Sequence, residues 1–199
     1  MSVVAIDGIA VAAFEVGDTL RSDSASAISQ FKKAGIETWL LTGDGEAAAT
    51  QIANQVGIDS DHLIARATPE AKIEKIKELQ GKGRKVLMIG DGINDAAALA
   101  ASDLSMAMGT GTDTAQAAAD ITLMRASLLA ALDSIELSKK TLRTIRTNLG
   151  WAFIYNIFGI PIAALGALSP MYAGGAMAFS SLFVVLNSLR LRKATTLPA

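Results

Sequence analysis

Lys85-Val86-Leu87-Met88-Ile89-Gly90-Asp91-Gly92-Ile93-Asn94-Asp95-Ala96-Ala97-Ala98-Leu99 is the stretch whose reading decides the fold. Strand-forming apolar residues run into a Gly-Asp-Gly turn, and a second Asp follows four residues after the first, at the opening of an alanine-rich helix. Two carboxylates thereby meet at the carboxyl end of a strand, the edge at which open α/β sheets bind ligands. Hard oxygen ligands on a tight, glycine-permitted turn suit Mg²⁺, which takes one or two carboxylates together with phosphate oxygens. Asp91 alone reads equally as a capping residue; Asn94, Asp95 and the flanking glycines favour the ligand reading.

Upstream, Glu37-Thr38-Trp39-Leu40-Leu41 reads as a second core strand ending in Thr42-Gly43-Asp44 before a helix over about 46–56. A hydroxyl and free backbone amides at such a helix start either cap it or hold a phosphoryl group. Leu63-Ile64-Ala65-Arg66-Ala67 is a third short strand. Thr68-Pro69-Glu70 then gives an N-cap, a proline at the first helical position and an acidic first turn, with Ile73, Ile76 and Leu79 inside and Gly81 as the stop. Lys72 lies in that first turn, either solvated or facing the same sheet edge. His62 has no partner in the pattern and reads as a surface residue.

Downstream, Leu104–Gly109 and Ile121–Met124 are two further short strands, separated by a helix of small residues beginning near Thr112-Asp113. Methionines 88, 106, 108 and 124 read as core filler. Strands alternating with helices give a doubly wound parallel sheet of the α/β class, and Thr42, Lys72, Asp91 and Asp95 converge on one edge. Phosphoryl transfer asks for such an edge, because it needs positioning and neutralised charge more than covalent chemistry.

At the amino end, Val3-Val4-Ala5-Ile6 and Ile9-Ala10-Val11-Ala12 flank Asp7-Gly8, a strong hairpin signal. An Asp after an apolar strand is what an aspartyl-phosphate enzyme uses, but the strand resumes at once, so Asp7 reads as a turn residue. A helix follows from Ser22-Asp23 to about Ala34, with Ile28 and Phe31 on its inner face and Gly35 as its stop.

Charge divides the chain. Residues 1–138 hold all 19 acidic residues against eleven basic ones, a net −8, whereas residues 139–199 hold seven Lys/Arg and no acid. There is no cysteine, which excludes disulfides and thiolate metal sites within these residues, and no basic n-region precedes an apolar core at Met1, so no signal peptide is read there. A charge-free run of 43 residues lies between Arg146 and Arg190. Before it, a long helix from Leu128 turns basic at Lys139, Lys140, Arg143 and Arg146. Within it, Leu149–Leu168 and Pro170–Leu189 are each 20 residues, enough to cross roughly 30 Å of hydrocarbon. Basic residues flank both outer ends and none lies in the Ser169 turn, so both ends are expected on the cytoplasmic side of a multi-pass membrane segment.

Polar residues inside these spans stand out. Tyr155 and Asn156 lie about 9–11 Å in from one end, and Ser180 and Ser181 about 12–14 Å in from the other, at a rise of about 1.5 Å per residue. Met177, Ser180 and Ser181 share a helix face, Gly174 and Ala178 permit a close neighbour, and Pro161 frees the carbonyl of Ile157. Taken alone, these residues read as interhelical hydrogen bonding and packing or as a ligand set.

The order Thr42-Gly43-Asp44, Thr68-Pro69-Glu70-Ala71-Lys72 and Gly90-Asp91-Gly92-Ile93-Asn94-Asp95 resembles the phosphorylation domain of P-type ATPases, of the haloacid dehalogenase superfamily; Met108–Asp113 and Ala119-Asp120 fit as well. The resemblance implies that Asp91 holds Mg²⁺ with Asp95 and Asn94 in support, that Lys72 contacts phosphoryl oxygens, and that Thr42, Gly43 and Asp44 form the cradle. It also implies ATP as the phosphoryl source. Tyr-Asn in the first span, then Met-x-x-Ser-Ser and Asn187-Ser188-Leu189-Arg190-Leu191, resemble the last two membrane helices of copper(I)-transporting members. Met177 as a soft thioether, with Tyr155, Asn156, Ser180 and Ser181, would then contribute to a Cu(I) transport site. Three features of that family have no counterpart in these residues: the phosphorylated Asp-Lys-Thr-Gly-Thr, the inserted nucleotide-binding domain and the Cys-Pro-Cys.

The expected organisation is therefore a hairpin remnant of the nucleotide-binding domain (1–13), an incomplete phosphorylation domain (14–126), a stalk helix (127–148) and two transmembrane helices (149–193). The expected partners are membrane lipid, the metal ion and the remainder of the pump, without nucleic acid; without that remainder the chain is expected to be inactive. A membrane-anchored phosphatase of the same superfamily, which would need an Asp nucleophile such as Asp7, and a non-catalytic regulatory fragment are the rival readings.

Overall fold

The computed structural model describes residues 2–14 and 20–195. Two compact units form, Met1–Leu129 and Ala130–Ala199.

In the first unit, β1 (Ser2–Ile6) and β2 (Ile9–Phe14) form an antiparallel hairpin with an irregularity in register between Val4 and Ala5. Asp7 and Gly8 both adopt positive φ, 50° and 80°, as a tight two-residue turn requires. Helix α1 (Ser24–Lys33) buries Ala27, Ile28 and Phe31. Two parallel ladders follow. One pairs β3 (Leu40–Leu41) with β4 (Leu63–Ile64) across α2 (Glu46–Val56). The other joins β5 (Leu87–Gly90), β6 (Leu104–Met108) and β7 (Ile121–Leu123), with α4 (Ala96–Ala101) and α5 (Asp113–Ala118) as crossovers. Helix α3 (Pro69–Gly81) connects the ladders and packs against α4.

The expected parallel strands are thus present, but among the described residues they form two ladders: β3 and β5 share no pairing. Their ends are nevertheless tied. Before the strands, the Arg84 guanidinium reaches Glu37 at 3.5 Å. After them, the Ala67 amide bonds to the Thr42 carbonyl at 2.8 Å, and Lys72, one turn further along α3, bonds to Asp95. The core is divided along the same seam. Ile28, Ala53, Val56 and Ile58 pack with Leu40 and Leu63 on one side, and Leu99, Ala107 and Ala115 pack with Met88 on the other.

Two strands are shorter than their sequences predict. Glu37–Trp39 lie outside β3: Glu37 accepts from Trp39 Nε1 at 2.8 Å, and Thr38 Oγ1 is buried with no hydrogen-bond partner. Strand β4 stops at Ile64 because Arg66 turns left-handed, at φ 53°. Met124 is 89% exposed, so it is not core filler, whereas Met106 is fully buried.

In the second unit, α6 (Leu128–Ala164) runs without a break from the basic segment into the apolar one, with Pro161 inside it, and α7 (Pro170–Leu189) returns, capped by Ser169. The two helices meet at Asn148, which accepts from Asn187 Nδ2 at 2.7 Å and donates to Ser188 Oγ at 3.0 Å, and at an edge-on Trp151–Phe183 pair 4.9 Å apart. Among the described residues one helix, Pro170–Arg192, is long and apolar enough to cross a membrane. The first expected span falls short of that standard: α6 ends at Ala164, four residues before Leu168, and Asn148, Tyr155, Asn156 and Pro161 dilute its hydropathy.

Candidate functional site

The geometry at the carboxyl end of β5 starts with close approach. A Cβ on Gly90 would stand 2.8 Å from Asp95 Cβ, and one on Gly111 would stand 2.6 Å from the Asp91 carbonyl and 2.9 Å from that of Met108. Only a residue without a side chain lets these backbones touch. The loop is then pinned: the Thr112 amide donates to the Asp91 carbonyl at 2.9 Å, and Thr112 caps α5. The Asp91 carboxylate is left at the surface of this edge.

Asp95 is engaged on both oxygens. Its Oδ1 accepts from Lys72 Nζ at 2.6 Å and its Oδ2 from the Gly92 amide at 3.4 Å. The side chains of Lys72 and Asp95 are only 10% and 14% exposed, so this is a largely desolvated ion pair. Lys72 reaches it because Thr68 caps α3 by accepting from the Ala71 amide at 3.2 Å and Pro69 occupies the first turn, which aims that turn at the β5 edge. Lys72 is therefore one of the few buried polar residues rather than a solvated helical lysine.

At the end of β3, the Thr42 hydroxyl donates to Asp44 Oδ2 at 2.7 Å and accepts from the Asp44 amide at 3.1 Å. Gly43 and Asp44 are exposed, as is Asn94. The structure thus brings Lys72 and Asp95 into contact, with Asp91 four residues before Asp95 on the loop that follows β5. The Thr42 carbonyl accepts from the Ala67 amide, two residues before α3 begins at Pro69.

Residues without a pattern in the sequence also appear here. Arg66 lines an open groove of about 740 Å³ with Gly45, Glu46 and Thr50 at the start of α2. His62 has partners after all: it lies 3.4 Å from Glu37 and packs at a 56° tilt against Trp39, over whose ring Lys75 Nζ sits at 3.8 Å. Spatial neighbours 23 residues apart leave no sequence signal. Asp7 occupies the turn of the antiparallel hairpin and does not follow a strand of either parallel ladder.

In the second unit, Asn156 Nδ2 donates to the Ala152 carbonyl of its own helix at 2.8 Å, and Tyr155 OH reaches the Ala173 carbonyl at 3.5 Å. Met177 and Ser181 are exposed. Tyr155 thus meets α7 near its start, at Ala173, rather than at Ser180 or Ser181. No hydrogen bond among the described residues joins the two polar groups.

Residues 2–103 match the family described as haloacid dehalogenase-like hydrolase. The chain is 52% identical over 180 residues to the probable copper-importing P-type ATPase A of Enterococcus hirae, covering 90% of this chain and 25% of that protein. It is 50% identical over 190 residues to the copper-exporting P-type ATPase of Bacillus subtilis, covering 96% and 23%. Among solved structures, a zinc-transporting PIB-type ATPase in an E2.Pi state superposes with a TM-score of 0.78 at 36% identity, over 87% of this chain and 28% of that one. The chain spans about a quarter of the length of the curated relatives it matches. Carrying that match over half its length, with the parallel ladders and the Asp91 edge the fold requires, the chain belongs to the haloacid dehalogenase-like hydrolase family.

Proposed function

We propose that these residues are the phosphorylation-domain core and the last two membrane helices of an ATP-driven heavy-metal pump of the P-type, transporting Cu(I). The observation that carries the reading is one helix, α6, leading from a unit with the Lys72–Asp95 pair at a parallel strand's carboxyl end into an apolar hairpin. Relatives named for copper transport at about half identity support the cargo, as does the soft thioether of Met177 in a span without charge.

The donor set fits Mg²⁺. Asp91 offers an exposed hard carboxylate on a backbone pinned by Gly111 and Thr112, and Asp95 offers a second carboxylate that Lys72 holds in place. When bound, the ion would neutralise charge on a phosphoryl group. Lys72, anchored by Asp95, holds a second positive charge at the same edge. The Thr42 hydroxyl and the amides of Gly43 and Asp44 take phosphoryl oxygens once the hydroxyl exchanges its bond to Asp44. Both chain ends lie on the cytoplasmic side, with the Ser169 turn opposite.

The seam between β3 and β5 is where the remainder of the pump completes this unit. A strand inserted parallel to both would present its carboxyl end between Thr42 and Asp91. An aspartate there would meet the phosphoryl-binding groups of both ladders. Tyr155, Asn156, Met177, Ser180 and Ser181 supply part of the transport site, and other helices supply the rest.

The test is complementation. The chain is co-expressed with the Enterococcus hirae relative truncated before its matching quarter, and ATP hydrolysis is measured with Cu(I) and with Zn²⁺. The reading requires restored, Cu(I)-stimulated turnover that Asp91→Asn abolishes. Phosphatase activity of the chain alone that is lost in Asp7→Asn would replace this reading with the membrane-anchored phosphatase.

A further inference from the structure

The second unit carries a charged surface that neither the phosphoryl edge nor the transport residues use. Lys139, Arg143 and Arg146 recur along one stripe of α6 and, with Leu142 and Thr147, line an open groove of about 520 Å³. That lies within the range of small-ligand sites, roughly 300–1,000 Å³. No ion pair among the described residues engages these three cations, and no acidic residue follows Glu136. The Thr147 hydroxyl is turned back to the Arg143 carbonyl at 2.9 Å, so the polar lining of the groove is cationic.

Its position narrows the ligand. Asn148, bonded to Asn187 and Ser188, sets the end of the α6 stripe level with the end of α7, where Arg190 and Arg192 follow. Trp151, little more than one turn beyond Arg146, packs on Phe183 as the apolar segment begins. Counting outward at about 1.5 Å per residue, Arg143 lies about 5 Å and Lys139 about 10 Å beyond Arg146. The headgroup layer on one side of a bilayer is roughly 5–8 Å deep. Arg143 and Arg146 fall within it, with Leu142 offering apolar surface beside them.

We infer that this groove binds the phosphate headgroup of an anionic phospholipid in the cytoplasmic leaflet. The inference rests on the membrane reading of the second unit. A guanidinium pair presents several donors in fixed geometry to phosphate oxygens, and basic residues at this level attract anionic lipid.

The test uses the full chain in a Trp39→Phe background, which leaves Trp151 as its one tryptophan. The chain is reconstituted in phosphatidylcholine vesicles containing equal mole fractions of brominated phosphatidylglycerol or brominated phosphatidylcholine, and quenching of Trp151 is compared. The expected result is half-quenching at a several-fold lower mole fraction of the anionic lipid. That preference falls about fivefold for each charge removed in Arg143→Gln and Arg146→Gln, and survives in Arg146→Lys. Equal quenching by both lipids overturns the lipid site while leaving the membrane reading intact. Quenching by neither, with failure to float with the vesicles, overturns the membrane reading and the site together. Loss of the preference in millimolar inorganic phosphate at constant ionic strength would reassign the groove to a free anion.

Discussion

Replacing Lys72 with methionine keeps an unbranched side chain out to Cε and removes the ammonium, leaving the Asp95 carboxylate 14% exposed with only the 3.4 Å amide of Gly92. Removing one partner of a buried ion pair costs about 3–5 kcal/mol. The residual exposure lets water recover part of that, so about 2–4 kcal/mol is expected for Lys72→Met. Asp95→Asn removes the charge but keeps an acceptor, and the cost falls to about 1–3 kcal/mol. In the double variant neither orphaned charge remains, so the singles must not add: the coupling should be about 1.5–3 kcal/mol. Trp39 reports this unit, because His62 packs against its ring and Lys75 lies over it. Urea titration of the full chain in a Trp151→Phe background, followed by Trp39 fluorescence, therefore measures each corner of the cycle. With a slope of about 2 kcal/mol per molar, a 3 kcal/mol loss moves the midpoint by about 1.5 M. Coupling under about 0.5 kcal/mol would show that the 2.6 Å contact does not hold the β5 edge together, and the anchoring role given to Asp95 would fall with it.

Asp103 is held down to about 2 by its hydrogen bond from Lys85, then by the Val86 amide and Gln80. A carboxylate with a depressed folded pKa contributes stability above its ordinary value near 4 and loses it as pH falls toward 2. Asp103→Asn should therefore flatten the acid-unfolding curve between about pH 4 and 2, while an unchanged curve would refute the assignment. Gly111→Ala forces a Cβ onto two backbone carbonyls, and a loss of about 1–3 kcal/mol in urea titration is expected; wild-type stability would show that the Asp91 loop can yield. The chain alone, incubated with labelled ATP and Mg²⁺, should form no acid-stable, hydroxylamine-sensitive phosphoenzyme, and any such species would contradict the need for a further strand. In hydrogen exchange, the seam-side amides of β3 and β5 should exchange much faster than those of Met106 and Ala107, since β6 is paired on both sides; equal protection would mean the seam is closed.

Most of the local structure was legible because local chemistry sets it. Thr68-Pro69 starts α3, Glu46–Val56 forms as spaced, and Asp7-Gly8 turns the hairpin. The sheet-edge residues were legible for the same reason, since Gly-Asp-Gly after a strand dictates where Asp91 sits. What a single stretch does not encode is its partner. The run 37–41 has the composition of a five-residue strand, but only Leu40 and Leu41 find a ladder, because composition states a preference and pairing needs a neighbour. The contact of His62 with Glu37, the groove position of Arg66 and the division of the sheet are all consequences of such pairing.

The division of the sheet bears directly on the proposed chemistry. Strands of a parallel sheet are ordinarily covered on both faces and buried throughout. Here β6 is buried over Ser105–Ala107, whereas every residue of β3 and β5, the strands bordering the seam, is only half-buried. Edge strands of apolar composition invite another strand, and natural proteins protect them with charge, proline or bulges. Neither β3 nor β5 contains any of these, yet Glu37–Arg84 before the strands and Lys72–Asp95 after them hold the two edges in place. On the proposed reading, two edges tied at both ends and, among the described residues, left unpaired between them are where a further strand would enter. Lys72 and Asp95 would then serve twice, holding one end of the opening and setting the charge at the point where that strand would end.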